Sequence, residues 1–369
     1  MPQQQNTCLF VDNDCKTSVI RNFPLPTPGD DEYLIEVLYS GVNPADIKHA
    51  PGLRIRDTVM GYDFCGRVLR TPNSPPDGPG KARFAAGELV AGMTPTGVGR
   101  PQKYGSHQNQ LAAPEGLMFS VPESLPPQEA AALAVVACTA ADALYGFFKA
   151  PPPGENGAQG GSQGPLLVWG GSTGVGLCLV QLARASGVSP IIATASPARH
   201  ELLRDLGATH CFDYKDPDVT SKVRAAVQES GAGRLSYAID VAGSGQAVEL
   251  IEQLVEPETV FLSTVVQPGK PHLKMPLACT RHDVLLRLAN GMEIAVPARV
   301  EDWKKTWGAV NWAVAHYGKG FRMPAVEVFD GSAEDALEEL QKIAAQASFE
   351  MIVPGMKVVI ALDAMVREL

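Results

Sequence analysis

Nowhere in the chain do two cysteines stand at C-x-x-C spacing, and the seven present (Cys8, Cys15, Cys65, Cys138, Cys178, Cys211 and Cys279) are scattered and odd in number. This pattern argues against both a disulfide framework and a structural zinc knot, and the thiols read as reduced and mostly buried. Runs of basic residues are missing too, and the net charge is -9, which argues against nucleic acid or an anionic membrane as the main partner. No stretch reaches the ~20 apolar residues that a helix needs to cross a bilayer. The opening MPQQQNTCLF carries neither the basic n-region nor the long apolar h-region of a secretion signal, so a soluble cytoplasmic protein is expected.

Apolar content, by contrast, is ample: 45% of the 369 residues are hydrophobic, which suits two domains better than one ordinary core. The first part is turn-rich and strand-like, with TCLFV, the turn-prone DNDCK, SVI, and the near-alternating EYLIEVLYSGV. Gly and Pro punctuate residues 71–102, leaving little room for helix. A helical stretch over 127–148 precedes APPPGENGAQGGSQGP, the most biased segment of the chain, which reads as a surface loop or linker. From Leu166 onward, short apolar runs (LLVW, PIIATA, HCFDY, YAIDVA, TVFLSTV) alternate with helical patterns, which implies a parallel α/β sheet with right-handed crossovers. A further helix, DALEELQKIAAQA, and a closing strand, KVVIAL, are expected near the end, the strand rejoining the first domain.

The stretch LLVWGGSTGVGLCLVQLARASG follows a strand with a glycine-rich loop and a helix, where free backbone N–H groups and the helix dipole suit a pyrophosphate. Gly171 is expected to make the tight turn, Gly174 to keep the loop small and Gly176 to let the helix pack on the sheet. Ser172 and Thr173 add hydroxyls for phosphate or ribose; the bland alternative is a plain αβ turn. An NAD site would place Asp or Glu about 20 residues past the glycines. Here the second strand runs into ATASPAR, which offers Ser196, Pro197, Ala198 and the cation Arg199 but no acid, so NADP(H) is favoured. Arg199 could instead be a solvated charge, and Tyr214, near the same edge, a strand-end aromatic packed on the sheet.

SGVNPADIKHA, GYDFCGRV, FAAGELVAGM, EAAALAVVACTAADAL, the GGSTGVG loop, ATASPARHELLRDLGATHCFDY and PGMKVVIAL together resemble the medium-chain dehydrogenase/reductase superfamily, over nearly the whole chain. The resemblance implies an α/β fold in which a doubly wound Rossmann sheet joins a GroES-like β-barrel catalytic domain. Residues 1–127 and 321–369 would form the barrel domain, and residues 128–320, with an insertion at 150–165, the NADP-binding domain. Zinc-dependent members carry a cysteine in the first loop and Gly-His-Glu further on; here Asn43-Pro44 and Gly61-Tyr62-Asp63 stand instead, so no metal is expected. Cys138 falls near a third ligand position, yet one thiolate does not hold zinc, and it reads as a small buried residue. NPADIK, ACTAAD, the Pro/Gly insertion, GGST and SPxR…FDY are similar to fungal trans-acting enoyl reductases, stand-alone partners of highly reducing polyketide synthases.

That resemblance implies hydride delivery from NADPH to the β-carbon of a carrier-tethered enoyl thioester, followed by protonation of the α-carbon. It also implies that Ala45, Asp46, Ile47 and Lys48 contact the cofactor, that Lys48 acts as a catalytic cation, and that Ser263, Thr264, Met356 and Lys357 complete the cofactor site. Ser172, Thr173, Gly174 and Val175 form its phosphate loop. The helix start Ala134, Val135, Val136, Ala137, Cys138, Thr139, Ala140 and Ala141 is expected to face the substrate, with Thr139 as donor to the thioester carbonyl. Lys48 could equally be a surface lysine, and Thr139 a helix threonine bonded to its own backbone. His49 and His107 stand in no acid–base pattern legible in the sequence and are left out of the site. A soluble quinone or enone reductase, and a non-catalytic NADP-binding scaffold, are the alternatives; the chain is expected to be a monomer or homodimer.

Overall fold

In the computed structural model, which describes residues 6–74, 82–154, 164–231, 233–243, 245–267, 269–270, 272–324, 326–345 and 357–361, two large sheets organise the chain. One has seven strands. Val326–Phe329, Lys357–Ala361, Glu32–Gly41, Asp63–Arg70, Leu89–Met93 and Met118–Ser120 follow one another, and Gln110–Pro114 pairs with Glu32–Gly41 off that path. The strand Lys357–Ala361 runs antiparallel to Glu32–Gly41, so the far end of the chain closes a sheet built mostly from its beginning. Register shifts at Leu34/Ile35 and Val37/Tyr39 interrupt the ladder between Glu32–Gly41 and Asp63–Arg70; such bulges bend a strand and let a sheet curl.

The second sheet is all parallel, in the order His210–Phe212, Ile191–Thr194, Leu166–Trp169, Tyr237–Asp240, Val260–Ser263. LLVW and IIAT are buried at every position, as expected of strands covered on both faces. Strand order reverses on either side of Leu166–Trp169, and ligands bind in the crevice beyond the carboxyl ends of such strands.

The helical stretch over 127–148 is broken in the structure. Pro127–Ala131 and Ala134–Ala141 are α-helical, and Asp142–Phe147 widens into a π-helix. The physical reason is Asp142. At the first residue of the π-helix, its carboxylate accepts from Arg299 and from the Leu277 N–H, and these bonds tie the helix at that point to distant parts of the chain. Between 280 and 300, where the sequence suggests no element, Val284–Arg287 and Glu293–Val296 form an antiparallel hairpin that packs on Ile55. No helix among the described residues is long and apolar enough to cross a membrane.

Candidate active site

A cavity of about 420 Å³ opens where the loops of the parallel sheet meet the curled sheet. Ser172, Thr173, Gly174, Val175, Val241, Gly243, Thr264 and Val265 line one side, and Pro44, Ala45, Lys48, His49, Tyr62 and Met93 the other. Val135, Val136 and Thr139 form its floor, and Met275, Pro276, Leu277 and Leu286 complete an apolar enclosure. The polar groups are few and convergent, the usual constitution of a small-molecule site.

The glycine-rich loop is fixed by backbone constraints. Its tight turn lies at Gly170, in the left-handed region at φ +92°, rather than at the expected Gly171. The Gly170 N–H donates to Thr194 Oγ1 at 3.1 Å and the Gly171 N–H to the Thr194 carbonyl at 2.8 Å. Gly176 does the packing expected of it, since a Cβ there would stand 2.5 Å from the Gly170 carbonyl oxygen. Thr173 caps the helix Gly174–Ala185, its Oγ1 accepting from the Gly176 N–H at 3.0 Å. The N–H groups of Gly174 and Val175 have no partner among the described residues, and both residues face the cavity. Two free N–H groups at a positive helix end form a cradle that suits a dinucleotide pyrophosphate.

At the edge of this loop, Ser196, Pro197, Ala198 and Arg199 follow the strand Ile191–Thr194, and Pro197–Arg199 forms a single 3-10 turn. The Arg199 guanidinium makes no hydrogen bond or ion pair among the described residues. Tyr214 lies just past His210–Phe212, half-buried against the sheet, with the Lys215 ammonium 5.5 Å from its ring centre. These residues stand outside the cavity lining, along the rim of the crevice.

On the opposite side, Asn43 and Asp63 hold each other: the Asn43 amide donates to Asp63 Oδ2 at 2.9 Å, and Asp63 Oδ1 accepts from the Val135 N–H at 2.7 Å. Both carboxylate oxygens are committed, Tyr62 occupies the intervening position, and the Cys138 thiol is buried in the core with its pKa driven well up by desolvation. This donor set does not fit zinc, and no group of three or more His, Cys, Asp or Glu side chains among the described residues is arranged to hold a metal.

Asp46 turns away from the cavity. Its Oδ2 accepts from the Asn43 N–H at 2.7 Å and meets His107 Nε2 at 3.2 Å, while His107 Nδ1 lies 2.7 Å from Ser40 Oγ. Ile47 packs into the core beneath, so of the tetrad only Ala45 and Lys48 line the cavity. Of the stretch 134–141, Val135, Val136 and Thr139 line it, whereas Ala134, Ala137, Cys138, Ala140 and Ala141 are wholly buried core. Thr139 donates its hydroxyl to the Val135 carbonyl at 2.8 Å, so serving a substrate carbonyl would require release of that bond. Lys357 opens its strand, and Met356 lies outside the described residues.

Thr264 reaches the cavity; Ser263 instead points inward to Asp240. Asp240 is fully buried at the end of Tyr237–Asp240, and its Oδ1 accepts from the Ala242 and Gly243 N–H groups at 2.9 and 3.0 Å. It thereby fixes the turn that carries Val241 and Gly243 to the cavity. Desolvation outweighs these bonds and raises its pKa from 3.8 to about 6. A raised carboxyl pKa favours the folded state most below the unfolded value, and that contribution is lost as pH rises through about 6. The charged form therefore costs about 3 kcal/mol at neutral pH. Asp240→Asn keeps the acceptor and cannot ionise, so its urea midpoint should gain on the wild type between pH 4 and 7; parallel midpoints would contradict this.

Three groups that no local pattern in the sequence links, His49, Tyr62 and Arg100, converge at the barrel side. His49 Nδ1 lies 2.9 Å from Tyr62 Oη, and the Arg100 guanidinium carbon sits 4.4 Å from the centre of the Tyr62 ring. Arg100 is itself buried and held by the carbonyls of Pro95, Val59, Gly61 and Tyr104 and by Thr94 Oγ1. Packing lowers the His49 pKa to about 4, so its imidazole is neutral near pH 7, and burial raises that of Tyr62. GYDF was conspicuous in the sequence, but nothing local linked it to His49 or Arg100.

Known proteins share both parts of this architecture. The zinc-binding dehydrogenase family matches residues 174–312, and the alcohol dehydrogenase GroES-like domain matches residues 29–123. The trans-enoyl reductase traG of Penicillium crustosum is 29% identical over 256 residues, spanning 68% of this chain and 66%, just under two thirds, of that relative. The trans-enoyl reductase eqxC of Fusarium heterosporum is 30% identical over 259 residues, 69% of each chain. Among solved structures, the CurK enoyl reductase superposes with a TM-score of 0.67 at 16% identity, covering 97% of this chain and 99% of that one.

Proposed function

This chain belongs to the medium-chain dehydrogenase/reductase superfamily and is related within it to the fungal trans-enoyl reductases; from that premise we propose an NADPH-dependent, zinc-independent enoyl reductase acting in trans. Its substrate would be an α,β-unsaturated acyl chain carried as a thioester by a partner polyketide synthase. The observation that carries this reading is the apolar cavity, which runs from the free N–H groups of Gly174 and Val175 to the Lys48–His49–Tyr62 wall, with the positions of a catalytic zinc filled by the Asn43–Asp63 hydrogen bond.

When bound, a reduced nicotinamide supplies hydride to the β-carbon. The residues of the chain do the rest. Gly174 and Val175 anchor the pyrophosphate, and Arg199 with Ser196 suits a 2′-phosphate that an acid would repel. Val42, Met93, Val135 and Leu277 exclude water and align the alkene. The Lys48 ammonium, exposed at the cavity wall, stabilises negative charge growing on the thioester oxygen. Without a Lewis acid to lower the pKa of a substrate hydroxyl, this donor set serves reduction of an activated alkene better than oxidation of an alcohol.

NADPH consumption should be rapid with an enoyl thioester on a pantetheine handle and weak with free quinones. Equal or faster turnover of quinones would assign the cavity to free small molecules instead. NADPH binding without oxidation by either acceptor would mark a scaffold.

A further inference from the structure

Reduction of an enoyl thioester needs a proton at the α-carbon as well as a hydride at the β-carbon, and neither Lys48 nor Thr139 is the group best placed to provide it. Thr139 spends its hydroxyl proton on Val135, and Lys48 stands at the exposed end of the wall. Tyr62 lines the same cavity, is almost fully buried, and carries a phenol between a neutral imidazole and a guanidinium. We propose that Tyr62 is the general acid of the reaction, with His49 as the positioning residue that holds it and restores its proton. This rests on the enoyl reductase reading given above.

Hydride addition to the β-carbon leaves an enolate; its α-carbon takes the proton from Tyr62 Oη, a C–H bond forms, the O–H bond breaks, and the electron pair stays on the phenolate. A thioester enolate is a much stronger base than a phenolate, so the transfer runs downhill. The phenolate is stabilised by Arg100, which cannot lose its own proton and is pinned by five oxygen atoms. His49 in its Nδ1–H tautomer donates to the phenolate oxygen, passes that proton across, and takes another from solvent at Nε2, which has no partner among the described residues. The other charged groups near the pair are Asp46, in the first turn of the helix that carries His49, and Lys48 beside it.

The test compares wild type, Tyr62→Phe and His49→Gln with an enoyl pantetheine thioester. Tyr62→Phe should bind NADPH as the wild type does while kcat falls about 100-fold or more, the usual contribution of a general acid. In that variant the isotope effect from deuterated NADPH should shrink toward unity and the D2O effect should grow, because protonation becomes limiting. His49→Gln should lose about tenfold in kcat with the same direction of change in D2O, and it serves as the readout if Tyr62→Phe does not fold. A wild-type kcat in Tyr62→Phe, or a slow variant whose isotope effects match the wild type, would overturn the assignment; a wild-type rate in His49→Gln would overturn the relay. A wild-type protein inactive on every enoyl thioester would instead defeat the enoyl reductase reading itself.

Discussion

Replacing Arg299 by alanine is expected to lower the stability of the protein by about 3 kcal/mol, because it strands a buried carboxylate. Asp142 is fully buried, and its two oxygens accept from Arg299 Nη2 at 2.8 and 2.6 Å and from the Leu277 N–H at 2.9 Å. Removing one partner of a buried pair costs about 3–5 kcal/mol, and the lower figure applies because the Arg299 side chain is 24% exposed. Desolvation already raises the Asp142 pKa against the pull of Arg299, so the variant should protonate at still higher pH and its deficit should narrow as pH falls. The effect extends to the cavity, because the same carboxylate holds the strand of chain that carries Leu277 into its lining. Asp142→Asn with Arg299→Ala should recover part of the loss. Denaturant midpoints of the three proteins at neutral and mildly acidic pH would measure it, and an Arg299→Ala midpoint equal to the wild type would contradict the pair's structural role.

Arg199→Ala is expected to raise the Kd for NADPH about 10- to 100-fold and to leave NADH within about twofold, since a guanidinium to phosphate bond contributes ~1.5–3 kcal/mol. Its guanidinium has no partner among the described residues, it follows a strand that ends without a carboxylate, and Ser196 stands nearby. Fluorescence titration with both dinucleotides separates the outcomes. Equal weakening of both would show that Arg199 acts on something other than the 2′-phosphate.

Much of this was legible in the sequence because it depends on local chemistry. Short, mostly apolar runs of four residues that alternate with helical periodicity point to buried parallel strands, and a glycine-rich turn between such a strand and a helix points to free N–H groups at the helix start. The detail inside that loop was less legible. The choice between Gly170 and Gly171 for the left-handed turn depends on where the strand releases its last hydrogen bond to Thr194, which no dipeptide pattern encodes. The capping role of Thr173 could have been inferred, since a threonine just before a helical run is a standard N-cap signal.

The remaining features were illegible for one reason: their partners are distant in sequence. Asp142 and Arg299 are 157 residues apart, and the pull between them converts a helical continuation into a π-helix that periodicity alone would not suggest. Tyr62, His49 and Arg100 converge only when the curled sheet brings its loops to one edge, so a histidine that stood in no recognisable motif acquires a phenol at 2.9 Å. Asp46 and Ser263, expected at the cofactor, turn inward, where they meet the second polar atoms of the buried His107 and Asp240, His107 Nε2 and Asp240 Oδ2.

The central claim is that the cavity reduces an acyl alkene presented by a carrier protein. The most direct measurement is the intact mass of an acyl carrier domain loaded with an enoyl chain, followed after addition of this protein and NADPH. The loaded carrier should gain the mass of two hydrogens, only when both are present, and far faster with NADPH than with NADH. A loaded carrier whose mass is unchanged under those conditions would contradict it.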